Sequence, residues 1–386
     1  MDTFASLPMT LIAFIVALSV VVFVHEYGHL YVARRNRVRC DSFSIGFGPE
    51  LFGWTDRHGT RWKVSAIPLG GYVKMFGEAE TMEAIEGGPS PRSGDAHGEA
   101  RPKDMASRPL TPEERAVSFK YKTALQRSAI VFAGPAVNIV FAILVFWAVF
   151  FISGRPVTEP VIGTVVADSA AAAAGFAPGD RVLAIDGQPV RRFEDIQRMV
   201  AIAHGAPMTF SVERDGTALD LTATPRIVEG EDAFGNAQKH ALLGISVSGE
   251  SRKMERAGPV EALGWSLQQC YVVMEGTVVA IGQMISGVRG TEDLGGPIRI
   301  AKYSGQAARS GVVNFVIFMA ILSLNLGMIN LLPVPLLDGG HLLFYAIEAV
   351  RGRPLSERVQ EWGLRFGLAL VVALMVFVTW NDIVQL

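Results

Sequence analysis

Residues 7–33 read LPMTLIAFIVALSVVVFVHEYGHLYVA, an apolar run in which three ionisable side chains follow Val24. A bilayer core about 30 Å thick needs roughly 20 apolar residues in a helix, so this stretch is long enough to span a membrane. Ionisable groups inside a span are costly and usually serve a function. The stretch therefore predicts a first transmembrane helix, within residues 1–33, that carries a chemical site. A secretory signal peptide is the alternative, but the apolar run is long and no small-residue cleavage site follows it.

Three further stretches have the length and apolarity of spans, and they cover residues 128–153, 312–337 and 363–380. The segment 255–290 is different, because its apolar part, residues 272–285, is shorter than a span and contains Glu275. It predicts an amphipathic helix at the membrane interface. A fifth span there would invert the orientation of everything that follows it.

Cations close to the span ends set the expected orientation, since they favour the cytoplasmic side. Arginines follow the first span, and further cations precede the second and the fourth. This places the N-terminus, residues 155–310 and the C-terminus outside, and residues 34–127 and 338–362 in the cytoplasm. Cys40 and Cys270 then lie on opposite sides of the membrane, so both are expected to be free thiols.

The composition excludes several classes of protein. The chain of 386 residues is 50% hydrophobic and 19% charged with a net charge of −2, which excludes a disordered chain and argues against nucleic acid as a partner. Two cysteines exclude a disulfide scaffold and a cysteine-based zinc ribbon. A metal site would need histidine and carboxylate ligands.

The polar interruption of the first span is His25-Glu26-Tyr27-Gly28-His29. Positions i and i+4 of a helix share a face, so the two imidazoles can bind one zinc ion while Glu26 stands beside it as a general base. Buried histidines that neighbouring helices satisfy are the structural alternative. The spacing predicts a zinc site within the membrane.

A catalytic zinc ion takes three protein ligands, so one more must come from another segment. The third predicted span ends in NLLPVPLLDGGH, residues 330–341, where two prolines break the helix. Asp338 and His341 are both candidate ligands. Because the first and third spans enter the membrane from the same side, both half-sites lie near the cytoplasmic ends of their spans.

These motifs resemble those of the site-2 protease family of intramembrane zinc metalloproteases. The resemblance covers most of the chain and extends to SFSIGFGP (42–49), IPLGGYVKMFG (67–77), FAGPAVN (132–138) and LGGPI (294–298). It implies one zinc ion per chain bound by His25, His29 and Asp338, with Glu26 as the catalytic carboxylate. It also implies that Asn330 forms hydrogen bonds to the substrate or the transition state.

Two alternating segments, Phe43–Gly48 and Trp62–Ile67, predict a small membrane-associated sheet over residues 40–77. A plain structural hairpin is the alternative. The family likeness favours a sheet edge that holds unwound substrate by backbone pairing. The residues assigned to substrate binding on this basis, together with the broken helix, are Gly46, Gly48, Ile67, Gly70, Gly71 and Pro333.

Residues 174–187, AGFAPGDRVLAIDG, resemble part of a PDZ domain, which is expected over residues 157–227 on the outer side. PDZ domains bind extended peptides by strand addition, so Ile162, Gly163 and Thr164 are predicted to form a peptide-binding edge. A steric filter that excludes untrimmed substrates is the alternative. The cytoplasmic segment 78–115 is rich in Gly, Pro, Ser, Glu and Ala and is predicted to be disordered.

Together these features predict a polytopic α-helical membrane protein with four transmembrane helices, a small cytoplasmic membrane-associated β-sheet and one α+β PDZ domain on the outer side. The resemblance implies a protease of the bacterial inner membrane that cleaves single-pass membrane proteins, such as an anti-sigma factor, after a first protease has cut them. We expect the chain to be a monomer. Clearance of remnant signal peptides is one alternative. A non-proteolytic PDZ scaffold or metal transporter is another, and it would not need a general base at Glu26.

Overall fold

The computed structural model of the chain describes residues 2–77, 110–202, 206–231, 237–247, 252–286, 295–353 and 355–384. Its helices are α1 (Asp2–Arg35), α2 (Pro112–Val117), α3 (Ala124–Ser153), α4 (Ala170–Ala174), α5 (Phe193–Ile202), α6 (Pro259–Ile285), α7 (Pro297–Arg309), α8 (Val312–Asn330), α9 (Asp338–Arg351) and α10 (Glu357–Val384). Its strands are β1 (Cys40–Thr55), β2 (Arg61–Met75), β3 (Arg155–Thr158), β4 (Ile162–Val165), β5 (Arg181–Ile185), β6 (Gln188–Pro189), β7 (Met208–Arg214), β8 (Thr217–Ala223), β9 (Arg226–Glu231), β10 (Ala237–Leu242), β11 (Ile245–Val247) and β12 (Arg252–Glu255). Contacts divide the chain into a first unit, residues 1–146, 266–277 and 292–386, and a second unit, residues 147–265 and 278–291.

Four of the described helices are long and apolar enough to cross a membrane. They are Leu7–Arg35, Ala124–Ser153, Val312–Asn330 and Arg358–Val384, with mean hydropathies of 2.7, 2.5, 2.2 and 2.0. The expectation of four such helices is confirmed. Helix α6 is not among them in the described part of the chain, and its position at the membrane interface stays a prediction.

The ends of the last two spans differ from those expected. Helix α8 ends at Asn330 rather than at residue 337, because Pro333 and Pro335 cannot continue a helix. Residues 331–337 form an irregular turn, and α9 starts at Asp338. The fourth span is longer than expected, because α10 covers residues 357–384 rather than 363–380.

Of the segment predicted to be disordered, residues 78–109 lie outside the described residues. Its last residues are helical, which corrects the expected end at Arg115. The Oγ1 atom of Thr111 accepts a hydrogen bond from the backbone N–H of Glu114 at 3.2 Å, and Glu114 Oε2 accepts one from the backbone N–H of Thr111 at 2.9 Å. This capping box, with Pro112 in the first turn, starts α2.

Strands β1 and β2 both bend, so they supply four segments of one sheet. Phe43 is paired with Val73 on one side and with Trp62 on the other, and Trp62 is also paired with Trp54. The order of segments across the sheet is therefore 50–55, 61–65, 42–45 and 71–75. The segment 71–75 is an outer edge, since no further strand pairs with it among the described residues.

Close helix contacts hold the first unit together. A Cβ atom on Gly28 of α1 would lie 2.5 Å from the carbonyl oxygen of Ala133 on α3, so only glycine permits this approach. At the other end of the unit, the buried carboxylate of Asp382 on α10 accepts hydrogen bonds from the backbone N–H groups of Gly296 and Arg299 at 2.9 and 3.0 Å. These bonds satisfy the free N–H groups at the start of α7.

The second unit contains an antiparallel sheet in the order β6-β5-β7-β8 and a separate pair of strands, β4 and β11. Its apolar core includes Val182, Phe210 and Ile196, and Leu243 is also buried there. The compact unit thus extends beyond residue 227, the end that we expected, because the chain returns after the β9–β10 hairpin to complete it. Whether this β-containing unit binds peptides as a PDZ domain stays a prediction.

The predicted peptide-binding edge at Ile162, Gly163 and Thr164 stays a prediction, and part of it is already paired within the unit. Strand β4 is already paired with β11, where Ile162 faces Val247 and Thr164 faces Ser246. On its other side, the backbone of Ile162 donates to Asp180 and accepts from Gly179, each at 2.8 Å. One edge of β4 is therefore paired with a strand from outside the segment in which we expected the domain, and the backbone groups of Ile162 are bonded on the other edge.

Candidate metal centre

Three side chains converge in the first unit. The Nε2 atoms of His25 and His29 lie 3.2 Å apart, and the Oδ2 atom of Asp338 lies 3.2 Å from His25 Nε2 and 3.5 Å from His29 Nε2. Zinc bound at about 2.0–2.1 Å by tetrahedral ligands separates its ligand atoms by about 3.3 Å. The three separations are those of one face of such a tetrahedron, so the donor set fits zinc.

Regular helix geometry and one helix break produce this convergence. His25 and His29 are one turn apart on α1, so their imidazoles point to the same side. Helix α8 stops at Asn330, and the turn that follows brings Asp338 back as the first residue of α9. Gly339 and Gly340 have no room for a Cβ atom against the carbonyl groups of Leu331 and Val334, which holds the turn close to α9.

The outer ring nitrogen of each imidazole also has a partner. His29 Nδ1 lies 2.9 Å from the carbonyl oxygen of Ile130, so Nδ1 carries the proton and leaves the Nε2 lone pair free for a metal. His25 Nδ1 lies 3.2 Å from Nδ2 of Asn138, whose Oδ1 atom is buried without a hydrogen-bond partner among the described residues. Both contacts come from α3, which backs the histidine face of α1.

Two more observations fit a bound ion. The Oδ2 atom of Asp338 is buried and has no hydrogen-bond partner in the described part of the chain. Gly134 faces the two histidines, and a Cβ atom there would collide with His29 Nε2 and lie 2.8 Å from His25 Cε1. The space in front of the imidazole nitrogens therefore exists because residue 134 is glycine, and the Asp338 oxygen beside it has no hydrogen-bond partner among the described residues.

Glu26 and Asn330 lie beside this cluster. Glu26 is buried on α1 next to His25, and its carboxylate makes no hydrogen bond or ion pair with any described residue. The Nδ2 atom of Asn330 lies 3.4 Å from His25 Nε2. His341, the competing candidate, is outside the group of ligand atoms within the described residues, and its ring packs near Phe344 and Tyr345.

The sheet approaches the cluster through its outer segment 71–75. A Cβ atom on Gly71 would lie 2.7 Å from Val22 and 3.0 Å from the Cγ atom of Glu26, so this edge touches α1 beside the candidate base. Of the other predicted substrate residues, Gly46, Gly48 and Gly70 cluster around Ile67 and Phe47, where the two strands bend. Pro333 is exposed in the turn after α8.

We assigned no individual role to Ile130, Gly134 or Asn138 from the sequence. Gly134 and Asn138 lie in the FAGPAVN stretch that carries the family resemblance, and Asn138 is also an amide side chain in an otherwise charge-free apolar span, where it needs a hydrogen-bond partner. Ile130 acts through its backbone, and Gly134 acts through the absence of a side chain. Neither leaves a chemical signature that motif spacing can detect.

Comparison with known proteins agrees with this geometry. The profile of peptidase family M50 matches residues 13–374. A protein of Rhizobium meliloti (strain 1021) named "Putative zinc metalloprotease" is 43% identical over 380 residues, which cover 98% of this chain and 97% of the relative. Metalloprotease MmpA of Caulobacter vibrioides is 38% identical, with coverage of 97% and 95%. Regulator of sigma-E protease RseP of Salmonella typhimurium is 33% identical, with coverage of 99% and 100%.

Proposed function

The chain belongs to peptidase family M50, the site-2 family of zinc metalloproteases, and we propose that it cuts the membrane-spanning segments of single-pass proteins inside the bilayer. The family, the enzyme class and the zinc cofactor expected from the motifs are confirmed. The observation that carries the proposal is the convergence of His25, His29 and Asp338 beside Glu26, on a helix long and apolar enough to span a membrane.

In this proposal the Nε2 atoms of His25 and His29 and the Oδ2 atom of Asp338 hold the zinc ion. Bound zinc would supply Lewis acidity toward a peptide carbonyl and toward water. Glu26, one residue from His25 and free of other partners among the described residues, accepts a proton from the attacking water and returns it to the amine that leaves. Asn330 donates a hydrogen bond from Nδ2 toward the substrate oxygen on which negative charge develops.

Hydrolysis also requires an extended substrate, because the carbonyl groups inside a helix are not accessible. The outer edge of the sheet at residues 71–75 lies against α1 beside Glu26, and no further strand pairs with it among the described residues. A substrate segment that pairs with this edge becomes extended at the position where it meets the base. Proximity to Glu26 supports a substrate role for Gly71, and Gly46, Gly48, Ile67 and Gly70 would shape the bend beyond it.

The test is a Glu26→Gln variant assayed on a model transmembrane substrate in vesicles, with metal content measured on the same preparation. We expect cleavage to be lost while zinc stays bound, because the amide keeps the size of the side chain but cannot accept the proton. Glu361→Gln, which removes an exposed carboxylate on α10, is the matched control and should retain activity. Wild-type turnover in Glu26→Gln would refute the assignment of the base.

The substrate class and the placement in the cell are finer parts of the proposal. The relative named regulator of sigma-E protease supports an anti-sigma factor as substrate, cut second in a cascade in the bacterial inner membrane. In that arrangement residues 34–127 are cytoplasmic and the second unit is a periplasmic PDZ domain. Clearance of remnant signal peptides is the alternative. The two functions differ in whether cleavage within the membrane requires a prior cut in the outer part of the substrate: the cascade requires it, and signal-peptide clearance does not.

A further inference from the structure

A second site lies where α1 leaves its apolar stretch. A cavity of about 650 Å³ opens there between the end of α1 and the turn that joins β1 to β2. Five arginines line it together with two tyrosines, and no aspartate or glutamate lines it among the described residues. The arginines are Arg34, Arg35, Arg37, Arg39 and Arg57.

Three of these arginines have no carboxylate partner among the described residues, since Arg35 donates only to the hydroxyl of Tyr31. Arg34 is paired with Asp56 and donates to the Oγ1 atom of Thr60 at 2.9 Å, and Arg39 is paired with Asp41 at 2.9 Å. Arg37 and Arg57 form no ion pair with any described residue, although both line the cavity. The cavity therefore carries an excess of positive charge that nearby carboxylates do not neutralise.

Electrostatic effects on nearby groups agree with this excess. The pKa of Lys122 is lowered from its ordinary value, first by partial burial and then by the charge of Arg37. Arg37 itself has a φ of 56°, a backbone conformation that non-glycine residues adopt only rarely. It occupies this conformation immediately after α1, with its exposed side chain on the cavity.

An aromatic stripe links the cavity to the middle of the span. Phe23, Tyr27 and Tyr31 are spaced by four residues on α1, so they share one face. Their rings stack with centroids 5.8 and 6.4 Å apart, and all three side chains are exposed. Arg35 continues the stripe and donates from its guanidinium to the hydroxyl of Tyr31 at 3.0 Å.

The surface thus changes in polarity along α1, from aromatic rings in the span to guanidinium groups without ion pairs at its end. A phospholipid changes in the same order, from apolar acyl chains to a phosphate headgroup. We propose that the cavity binds the phosphate of an anionic phospholipid, with the acyl chains along Phe23 and Tyr27 and the headgroup at Arg37 and Arg57. Arginine suits this role because its planar donors match phosphate oxygens in pairs. Inorganic phosphate shares the headgroup chemistry but cannot use the aromatic stripe.

The test uses the full chain purified in detergent and titrated with dioctanoyl phosphatidylglycerol, with bound lipid counted by native mass spectrometry. In the double variant Arg37→Gln/Arg57→Gln we expect binding to weaken roughly 10- to 30-fold, since each arginine near a membrane surface contributes to anionic lipid binding. Dioctanoyl phosphatidylcholine, which carries the phosphate without net negative charge, should bind the wild type more weakly than the glycerol lipid.

The matched control is Arg351→Gln/Arg353→Gln, which removes the same charge near another span but outside the cavity. It should leave lipid binding within about twofold of wild type, because it alters only the long-range electrostatic attraction of the protein surface for anionic lipid. Arg37→Lys/Arg57→Lys keeps the charge but loses paired donation, and it should recover part of the affinity. If the double variant unfolds, lipid binding is measured on the single variant Arg57→Gln, whose residue lies on an exposed turn, and we expect it to be weakened.

Three outcomes would overturn the proposal. Equal weakening by the control pair would mean that binding reports membrane charge rather than this cavity. Displacement of the lipid by inorganic phosphate at equal concentration would mean a soluble-anion site. Wild-type lipid binding in both Arg57→Gln and the double variant would remove the cavity from lipid recognition. Because the readout is lipid binding, each result is independent of whether the chain cleaves any substrate.

Discussion

Asn138 offers the sharpest test of the metal centre, because it touches a proposed ligand without being one. If His25 binds zinc through Nε2, its Nδ1 atom must carry a proton and needs an acceptor. The neighbour of Nδ1 is the Asn138 amide at 3.2 Å, whose Oδ1 atom is buried and unpartnered among the described residues. A half-turn of the nearly isosteric amide places Oδ1 opposite Nδ1–H and satisfies both groups.

Replacing Asn138 with Ala should therefore weaken zinc binding without removing a ligand. A buried donor left without its acceptor costs about 1–3 kcal/mol, which corresponds to a loss of roughly 5- to 150-fold in affinity. Loss of partners that orient metal-bound histidines typically weakens metal binding by about 10–100-fold. Asn138→Asp keeps an acceptor at this position and should bind zinc more tightly than Asn138→Ala.

Zinc affinity is measured by competition with a chromophoric chelator in detergent, and the visible spectrum of the cobalt-substituted protein reports ligand geometry. Ser323→Ala is the matched control, because Ser323 is buried and donates to the backbone carbonyl of Asn138 at 3.2 Å but does not touch the imidazole. It should keep wild-type affinity. An Asn138→Ala protein that binds zinc within about twofold of wild type would refute the reasoning.

Three further predictions test other parts of the structure. Gly134→Ala should abolish zinc binding, measured as metal content, while the protein stays folded by circular dichroism, because the new Cβ atom occupies the space before His29 Nε2. Asp338→Asn should lose zinc and His341→Ala should keep it; the reverse pattern in metal analysis would reassign the third ligand. In the second unit, hydrogen bonds from Arg214 hold the pKa of Asp180 below its ordinary value. Burial raises this pKa, and a hydrogen bond from the backbone N–H of Ala177 lowers it further. The stability that this carboxylate confers is thus present above about pH 3.9, the unfolded value, and decreases as pH falls through the lower folded value. Thermal unfolding between pH 6 and pH 3 should show this decrease for the wild type and a smaller one for Asp180→Asn.

Helix periodicity made half of the metal centre predictable. The four-residue spacing of His25 and His29 fixes a common face in any α-helix, and apolar length alone identified the four spans. The third ligand was harder, because spacing allowed both Asp338 and His341. Which of the two side chains reaches the histidines depends on how the turn after Asn330 folds. That turn is fixed by prolines and by backbone contacts at Gly339 and Gly340.

Features that arise only from packing between distant segments were not predictable. Asn138 and Ile130 meet the histidines because α3 packs against α1, and no local pattern encodes that register. The pairing of β4 with β11 has the same origin. The strand pattern at Ile162–Val165 was correct, but β11 comes from residues beyond the expected end of the domain.

The contact between His25 and Asp338 also bears on how many times the chain crosses the membrane. His25 lies in the C-terminal half of α1, and Asp338 follows the turn of residues 331–337 after α8. The last residue of α8, Asn330, also places its Nδ2 atom 3.4 Å from His25 Nε2, so α1 and α8 run in the same direction through the bilayer. With α3 as the single crossing between them among the described helices, α1 and α8 are parallel. If α6 also crossed, α8 would be reversed, and its C-terminal end would lie about 30 Å from that of α1. We therefore infer that α6 does not cross the membrane, despite its 27 residues, and that its exposed apolar side chains, such as Leu267 and Val278, lie along an interface.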